Sequence, residues 1–303
     1  MKLSEIFKTY STEQKSKLAF KEWRDKEGVR CKKCWGLDHY WKSDKWQYEC
    51  KACGFRTTLK SGTVMQGSKM PYQDWMIVIG LMSATKKSFS ALEIQRQVGH
   101  KRYEPIWLMM HKLRVCMGRR DDKYRLDGQI EIDEGFFESH REKDKPTIKR
   151  QVAVLVMVES KRVKETPKNK TRPKRKAGYI KMKVLEQQNQ KTIFGEIKTH
   201  IRSTGVGLTD GAGHYKKLAN IIADHMEFNC GDPTLAHKVL PWVHIAISNA
   251  KKICLGIHHS IKREFMQNYL NEFCYKFNRR YMMDNLFDRL MVAAVEAPWF
   301  AFR

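Results

Sequence analysis

Acid is what this chain is short of. Its 303 residues carry 58 Lys+Arg against 33 Asp+Glu, a formal net charge of +25 at pH 7. Such an imbalance implies a polyanionic partner, because each phosphate neutralised by a Lys or Arg releases condensed counterions. Long apolar runs are missing as well. The longest, Met76–Met82 and Val152–Val158, fall far short of the ~20 residues that cross a bilayer. The N-terminal stretch MKLSEIFKTYSTEQK has no signal-peptide apolar core. These absences predict a soluble, cytoplasmic protein whose polyanion is nucleic acid and not an acidic membrane surface. Cys116, Cys230, Cys254 and Cys274 stand alone among apolar or mixed neighbours, which fits buried thiols and not disulfides.

What is present begins with Cys31-Lys32-Lys33-Cys34 and Cys50-Lys51-Ala52-Cys53, two C-x₂-C knuckles with 15 residues between them. Four thiolates at this spacing can close a tetrahedron around one structural zinc ion. A single C-x-x-C suits a redox pair; two do not. Basic residues (Lys32, Lys33, Lys42, Lys45, Lys51, Arg56) interleave with Trp35, Tyr40, Trp46, Tyr48 and Phe55. That mixture suits nucleic-acid contact, and the aromatics equally suit the ribbon's own small core.

Residues 1–28 read as a polar helical segment, 29–60 as the zinc ribbon and 61–122 as a helical module. In the module, Trp75, Ile77, Val78, Leu81 and Met82 make one apolar face. Ser90-Ala91-Leu92-Glu93 is a capping box, Gly99-His100 a turn, and Ile106, Trp107, Met110, Leu113 and Met117 keep helical spacing. Helix, glycine turn, helix outlines a helix-turn-helix, with Lys101, Arg102, His111, Lys112 and Arg114 as candidate DNA contacts.

Residues 123–290 read as an α/β domain, followed by a tail over 291–303. Gln129–Phe137 alternates like a strand, Val152–Val158 suits a strand covered on both faces, and Gly178–Leu185 alternates again. A helix over Thr192–Ile201, a short strand ending at Asp210, and helices from about Leu240 follow. That order is that of a ribonuclease-H-like domain. A basic insertion, 161–176, carries Lys174 and Arg175 and is expected to meet nucleic acid or to be a solvated loop. Asp133 and Asp210, 77 residues apart, end two strands that would neighbour each other in such a sheet. Paired carboxylates are hard oxygen ligands for Mg²⁺, and two such ions serve in-line phosphoryl displacement. Taken by themselves, Asp210 also suits a turn and Asp133 is one acid among Glu131, Glu134 and Glu138.

The chain resembles the zinc-ribbon DDE insertion-sequence transposases, prokaryotic relatives of the eukaryotic Merlin elements. The resemblance runs through Gly28-Val29-Arg30-Cys31, the ribbon, Phe89-Ser90-Ala91-Leu92 and Ile130-Glu131-Ile132-Asp133-Glu134. It continues through Leu208-Thr209-Asp210-Gly211, Pro241-Trp242-Val243-His244 and Phe277-Asn278-Arg279-Arg280. It implies a ribonuclease-H-like catalytic domain preceded by a zinc ribbon and a helix-turn-helix-like module. The implied reaction nicks element ends and joins a 3′-OH to target DNA, with Mg²⁺ or Mn²⁺ and no covalent enzyme intermediate. It also implies a dimer or larger assembly on double-stranded DNA, in a prokaryotic nucleoid.

By the same resemblance Asp133 and Asp210 are the first two metal ligands and Asn249 occupies the third position, where many relatives carry Glu. Lys252, or Lys251, would place a positive group near the phosphate. Asn249 also suits a helix cap or surface site. Glu264 and Glu272 are alternative third ligands, and His244, His258 and His259 are expected nearby as neutral or satisfied side chains. Two other functions compete: a DNA-binding regulator without catalysis, to which Asn249 lends support, and a nuclease of RNA or repair metabolism, which the ribbon does not suit.

Overall fold

Ile130 and Ile132 turn to one side of their strand and Glu131 and Asp133 to the other, so a single stretch of sequence serves a core and a site at once. The computed structural model describes residues 2–140, 151–163, 174–228 and 239–296. Most of the basic insertion (164–173), Cys230 and positions 297–303 lie outside the described residues. The chain divides into two units, Met1–Arg119 with Arg279–Arg303, and Arg120–Asn278.

The first unit opens with α1 (Leu3–Thr9) and α2 (Glu13–Glu27). Thr12 caps α2 by accepting the Lys15 N–H, and Gly28, at φ +83°, ends it. A small antiparallel sheet follows: β1 (His39–Lys42), β2 (Gln47–Cys50) and β3 (Arg56–Thr58). Buried Arg24 of α2 ties it down, donating to the carbonyls of Leu59 and Ser61, both at 2.7 Å. Tyr48 of β2 returns a hydroxyl to Asp25 at 2.7 Å.

Next come α3 (Tyr72–Ala84), α4 (Ala91–Val98) and α5, which spans Tyr103–Asp122. Apolar spacing predicts one buried face for α3, yet Trp75, Met76, Val78, Ile79, Leu81 and Met82 are all buried and the helix is covered nearly all round. Its cover is α1, α2 and α9 (Leu286–Glu296). Ile6 comes so close that a Cβ at Gly80 would lie 2.8 Å from it. Leu286, Phe287, Leu290 and Met291 of α9 are buried, and the Val64 N–H donates to the Ala294 carbonyl at 2.9 Å. The C-terminal helix thus belongs to the N-terminal unit. Ser90 caps α4 through the Glu93 N–H, and Gly99, left-handed at φ +74°, closes it before α5.

The second unit is built on a five-stranded sheet, order β6-β5-β4-β7-β8. Here β4 is Gln129–Glu138, β5 Gln151–Arg162, β6 Arg175–Val184, β7 Val206–Thr209 and β8 Asp224–Glu227. The first three form an antiparallel meander; β7 runs parallel to β4, and β8 parallel to β7. One face carries α6 (Gln190–His200) over Ile130, Ile132, Leu155 and Met157. The other carries α7 (Pro241–His258) and α8 (Met266–Asn278) over Phe137 and the even-numbered valines of β5. Strands in the middle of a covered sheet read as continuous apolar runs, and β5 is buried without a break from Val154 to Ser160.

Candidate active site and cysteine cluster

The parallel pairing of β4 with β7 matches Glu131 to Leu208. Continued for two more residues, that register sets Asp133 beside Asp210; Asp210 follows the last residue of β7, but Asp133, expected to end its strand, lies in the middle of β4, which runs on to Glu138. Asp133 is mostly enclosed and Asp210 is exposed. The Asp133 carboxyl is pushed up to about 7, chiefly by burial and further by the negative charges of Asp210 and Glu134. The Glu134 N–H, 2.7 Å from Asp133 Oδ1, and His214 pull the other way. Asp210 is held by its own turn, where Oδ1 accepts the Ala212 N–H at 3.1 Å.

Two further acids of β4 hold the surroundings. Glu131, buried, accepts the N–H groups of Trp242 and Val243 on a single oxygen, at 2.7 and 3.0 Å. Those are donors that the first turn of α7 cannot satisfy itself, so Glu131 acts as its cap from a neighbouring strand. Burial raises its carboxyl to about 6 against the pull of those two bonds. On the far side of the strand, Glu134 accepts the Tyr215 hydroxyl at 2.5 Å and meets His214 Nε2 at 2.9 Å. A carboxylate only accepts, so Nε2 of His214 carries the proton. Neither role follows from sequence, although the Ile-Glu-Ile-Asp alternation does place Glu131 and Asp133 on one face.

The cap on α7 brings His244 to the pair of aspartates, with Nδ1 3.7 Å from Asp133 Oδ2. Asn249 lies five residues on, about 140° further round a helix of 3.6 residues per turn. It is exposed, as is Lys252, while Lys251 leans toward the Phe137 ring at 5.9 Å. The structure therefore brings Asp133, Asp210 and His244 together, while Asn249 and Lys252 are exposed further along α7. Glu264 is exposed in a short 3₁₀ turn, and Glu272 is buried with Lys276 at 2.9 Å on α8. That helix packs on β6, which β5 separates from β4.

The four ribbon cysteines converge, all Sγ atoms lying within 4.8 Å of one another. Cys31 to Cys53 is 3.6 Å and Cys34 to Cys50 is 3.4 Å. A tetrahedral site with Zn–S bonds of about 2.3 Å has edges of about 3.8 Å, so the cluster fits zinc. Backbone donors favour the Cys31 thiolate: the Cys34 and Lys33 N–H groups lower its thiol to about 6 against the effect of burial. The knuckles are built alike. Cys31 N–H donates to Gly36 O and Cys50 N–H to Phe55 O, at 2.9 and 3.0 Å. Trp35 N–H returns to Cys31 O and Gly54 N–H to Cys50 O, at 3.0 and 2.9 Å. The matching positions are both left-handed, Gly54 at φ +66° and Trp35 at φ +64°. For a tryptophan this conformation costs about 1–2 kcal/mol.

The ribbon aromatics divide between the two roles their sequence allowed. Trp46 meets Trp41 edge-on and Tyr48 meets it at a tilt, at 5.7 and 4.8 Å between ring centroids, and Lys17 lies 3.8 Å over Trp46. Trp35, Tyr40 and Phe55 are exposed. The candidate DNA contacts divide too. Lys101, Arg102 and Lys174 are exposed, but Lys112 and Arg114 are 3% and 1% exposed. Lys112 donates to the Gln66 carbonyl at 3.0 Å, beside a cavity of about 520 Å³ lined also by Met70, Trp75 and Met109. A cation enclosed in this way is not presented to a phosphate. His111 is buried as well. Arg175 is half-buried, its guanidinium turned onto Ser160.

The arrangement is that of a mixed α/β protein with two neighbouring carboxylates, one within β4 and one just past β7, and a four-cysteine module earlier in the chain. Residues 125–278, just over half of the chain, match the family model of the ISXO2-like transposase domain. The chain belongs to that transposase family. No curated protein and no solved structure matches it. Among the described residues no helix is long and apolar enough to cross a membrane.

Proposed function

We propose that this protein is the DNA transposase of an insertion sequence, binding terminal inverted repeats and catalysing strand cleavage and strand transfer in a ribonuclease-H-like domain. The observation that carries the reading is the nearness of Asp133, in the middle of β4, to Asp210, just past the end of the parallel strand β7. An antiparallel meander flanked by two parallel strands supports the fold assignment.

Two carboxylates that repel one another, one of them partly desolvated, suit Mg²⁺ or Mn²⁺, whose charge relieves that repulsion. Asp133 and Asp210 would hold such ions, and the chemistry supplied there would be Lewis-acid activation of the oxygens in an in-line displacement. Asp133 and Asp210 supply the ligands, Glu131 fixes α7 against β4, and His214 and Tyr215 hold Glu134 behind the pair. On α7, His244 faces the aspartates as the helix stands. Asn249, exposed on the same helix, is the third ligand in this reading, with Lys252 as the positive group near the phosphate. The cysteine cluster would hold a structural zinc, and Lys101, Arg102 and Lys174 are the exposed cations offered to DNA. A dimer or larger assembly on DNA, working in the cytoplasm, completes the proposal.

The test is joining of a pre-cleaved terminal repeat to plasmid DNA in Mg²⁺, with Asp133→Ala, His244→Ala and Asn249→Ala beside the native chain. Loss in Asp133→Ala with end binding retained is expected, and equal activity there sinks the assignment. Of the two α7 variants, the one that abolishes joining names the third group. A second reading, a DNA-binding regulator without catalysis, draws on the lack of any carboxylate along α7. End binding without joining by the native chain would establish it.

A further inference from the structure

We propose that Trp35 is a base-stacking platform by which the ribbon captures an unpaired base in DNA. Two non-glycine residues of the ribbon adopt the left-handed conformation, Trp35 and Trp46. Trp46 recovers its cost in packing, against Trp41 and beneath Lys17. Trp35 does not: it is 68% exposed, and its twin position in the second knuckle is filled by glycine. A strained backbone that presents a large apolar ring to solvent points to a role outside the fold.

The surroundings name the occupant. Leu37 and Tyr40 follow Trp35 along the chain and are 62% and 56% exposed. Lys51 of the second knuckle lies 5.2 Å over the Tyr40 ring. Lys32, Lys33 and Lys51 are exposed around the two knuckles, and Lys45 between them, against Asp38 and Asp44 as exposed acids. An exposed indole on a cysteine knuckle, in a stretch rich in exposed cations, matches the stacking face of a base and the phosphates that flank it. Paired bases hide those faces in the duplex, so the platform reads DNA that is melted or mismatched. The inference rests on DNA being the partner.

The experiment uses the full-length, zinc-loaded protein. Fluorescence anisotropy compares a fully paired duplex with the same duplex carrying a short unpaired bubble. The bubble is expected to bind roughly five- to a hundredfold more tightly, the range spanned by stacking one base on an aromatic ring. Trp35→Gly relieves the backbone and keeps zinc, so its folding is not in question. It should abolish the bubble preference and leave paired-duplex affinity unchanged, while Trp35→Phe keeps most of the preference. A preference that survives in Trp35→Gly overturns the proposal, as does equal binding of both DNAs by the native chain. Loss of self-association in Trp35→Gly, seen by sedimentation, would assign the patch to a second copy and overturn it too. Failure to bind either DNA would overturn the DNA reading along with it.

Discussion

Glu131 accepts the backbone N–H of Trp242 at 2.7 Å across 111 residues of sequence, and the site is assembled around that bond. It ties the amino end of α7 to β4 two residues before Asp133, and His244 arrives over the aspartates as a consequence. Removing the cap leaves two N–H donors in a buried place. Glu131→Ala is expected to cost about 2–3 kcal/mol, the range for hydrogen bonds to a buried charge, and Glu131→Gln about half as much. Urea unfolding of the three proteins measures both, and an unchanged midpoint in the alanine variant would show that α7 is held by its apolar face alone.

Asp133 is placed at a cost to the fold. Its carboxyl titrates near 7 where an ordinary aspartate titrates near 4, so at pH 8 the native state carries a charge that burial and Asp210 both disfavour. Asp133→Asn removes that charge. With EDTA present, the variant is expected to be more stable than the native chain at pH 8 by roughly 1–3 kcal/mol, while strand transfer is lost. The sign follows from linkage: a folded pKa above the unfolded one adds stability only at low pH, and that part is gone as pH rises past 7. The advantage of Asp133→Asn therefore shrinks toward pH 5, and denaturant curves of the two proteins at pH 5 and pH 8 decide it.

Much of the second unit was legible in its periodicity. The sequence places strands at Gln129–Phe137, Val152–Val158 and Gly178–Leu185, and the structure has a strand at each of these places. The strand Asp224–Glu227 left no trace, because an edge strand of Asp-His-Met-Glu has no apolar alternation to betray it. The pairing of Asp133 with Asp210 follows from strand order and was accessible. The facing of His244 was not, since it depends on how α7 is rotated, which Glu131 sets from a distant strand. For the same reason Lys112 and Arg114 look like surface cations in a basic helix and prove to be buried. Helical spacing locates the apolar stripe but does not reveal how widely neighbours such as Gln66 cover the rest.

A zinc held by the cysteine cluster would make the ribbon's structure depend on metal. One zinc per chain is expected by elemental analysis, and Cys50→Ser should lose it together with specific end binding. Binding energy for a structural zinc, on the order of 10 kcal/mol, is largely folding energy in so small a sheet. Chelation should therefore unfold the ribbon, with the near-ultraviolet signal of the packed Trp41, Trp46 and Tyr48 as the reporter. Zinc retained by Cys50→Ser would refute the four-thiolate site.

Lys112 separates a buried cation from a DNA contact. Burial, with Lys60 nearby, lowers its ammonium to about 8, against a partial lift from Cys116. Unfolded, the same group titrates near 10.4. Between those values the unfolded chain binds more protons than the native one, so stability rises with pH from about 8 to 10, and the penalty is full below 8. Lys112→Met should remove that rise and stabilise the protein at pH 7 by about 1–3 kcal/mol, less what the Gln66 carbonyl loses as an acceptor. Its affinity for element ends should not change. Lys101→Ala with Arg102→Ala should weaken binding and flatten its salt dependence, because those two side chains are exposed and each phosphate contact contributes to the slope. A Lys112→Met protein that binds DNA less tightly at unchanged stability would mean that α5 turns this lysine outward on DNA, and its burial would then describe the DNA-free state alone.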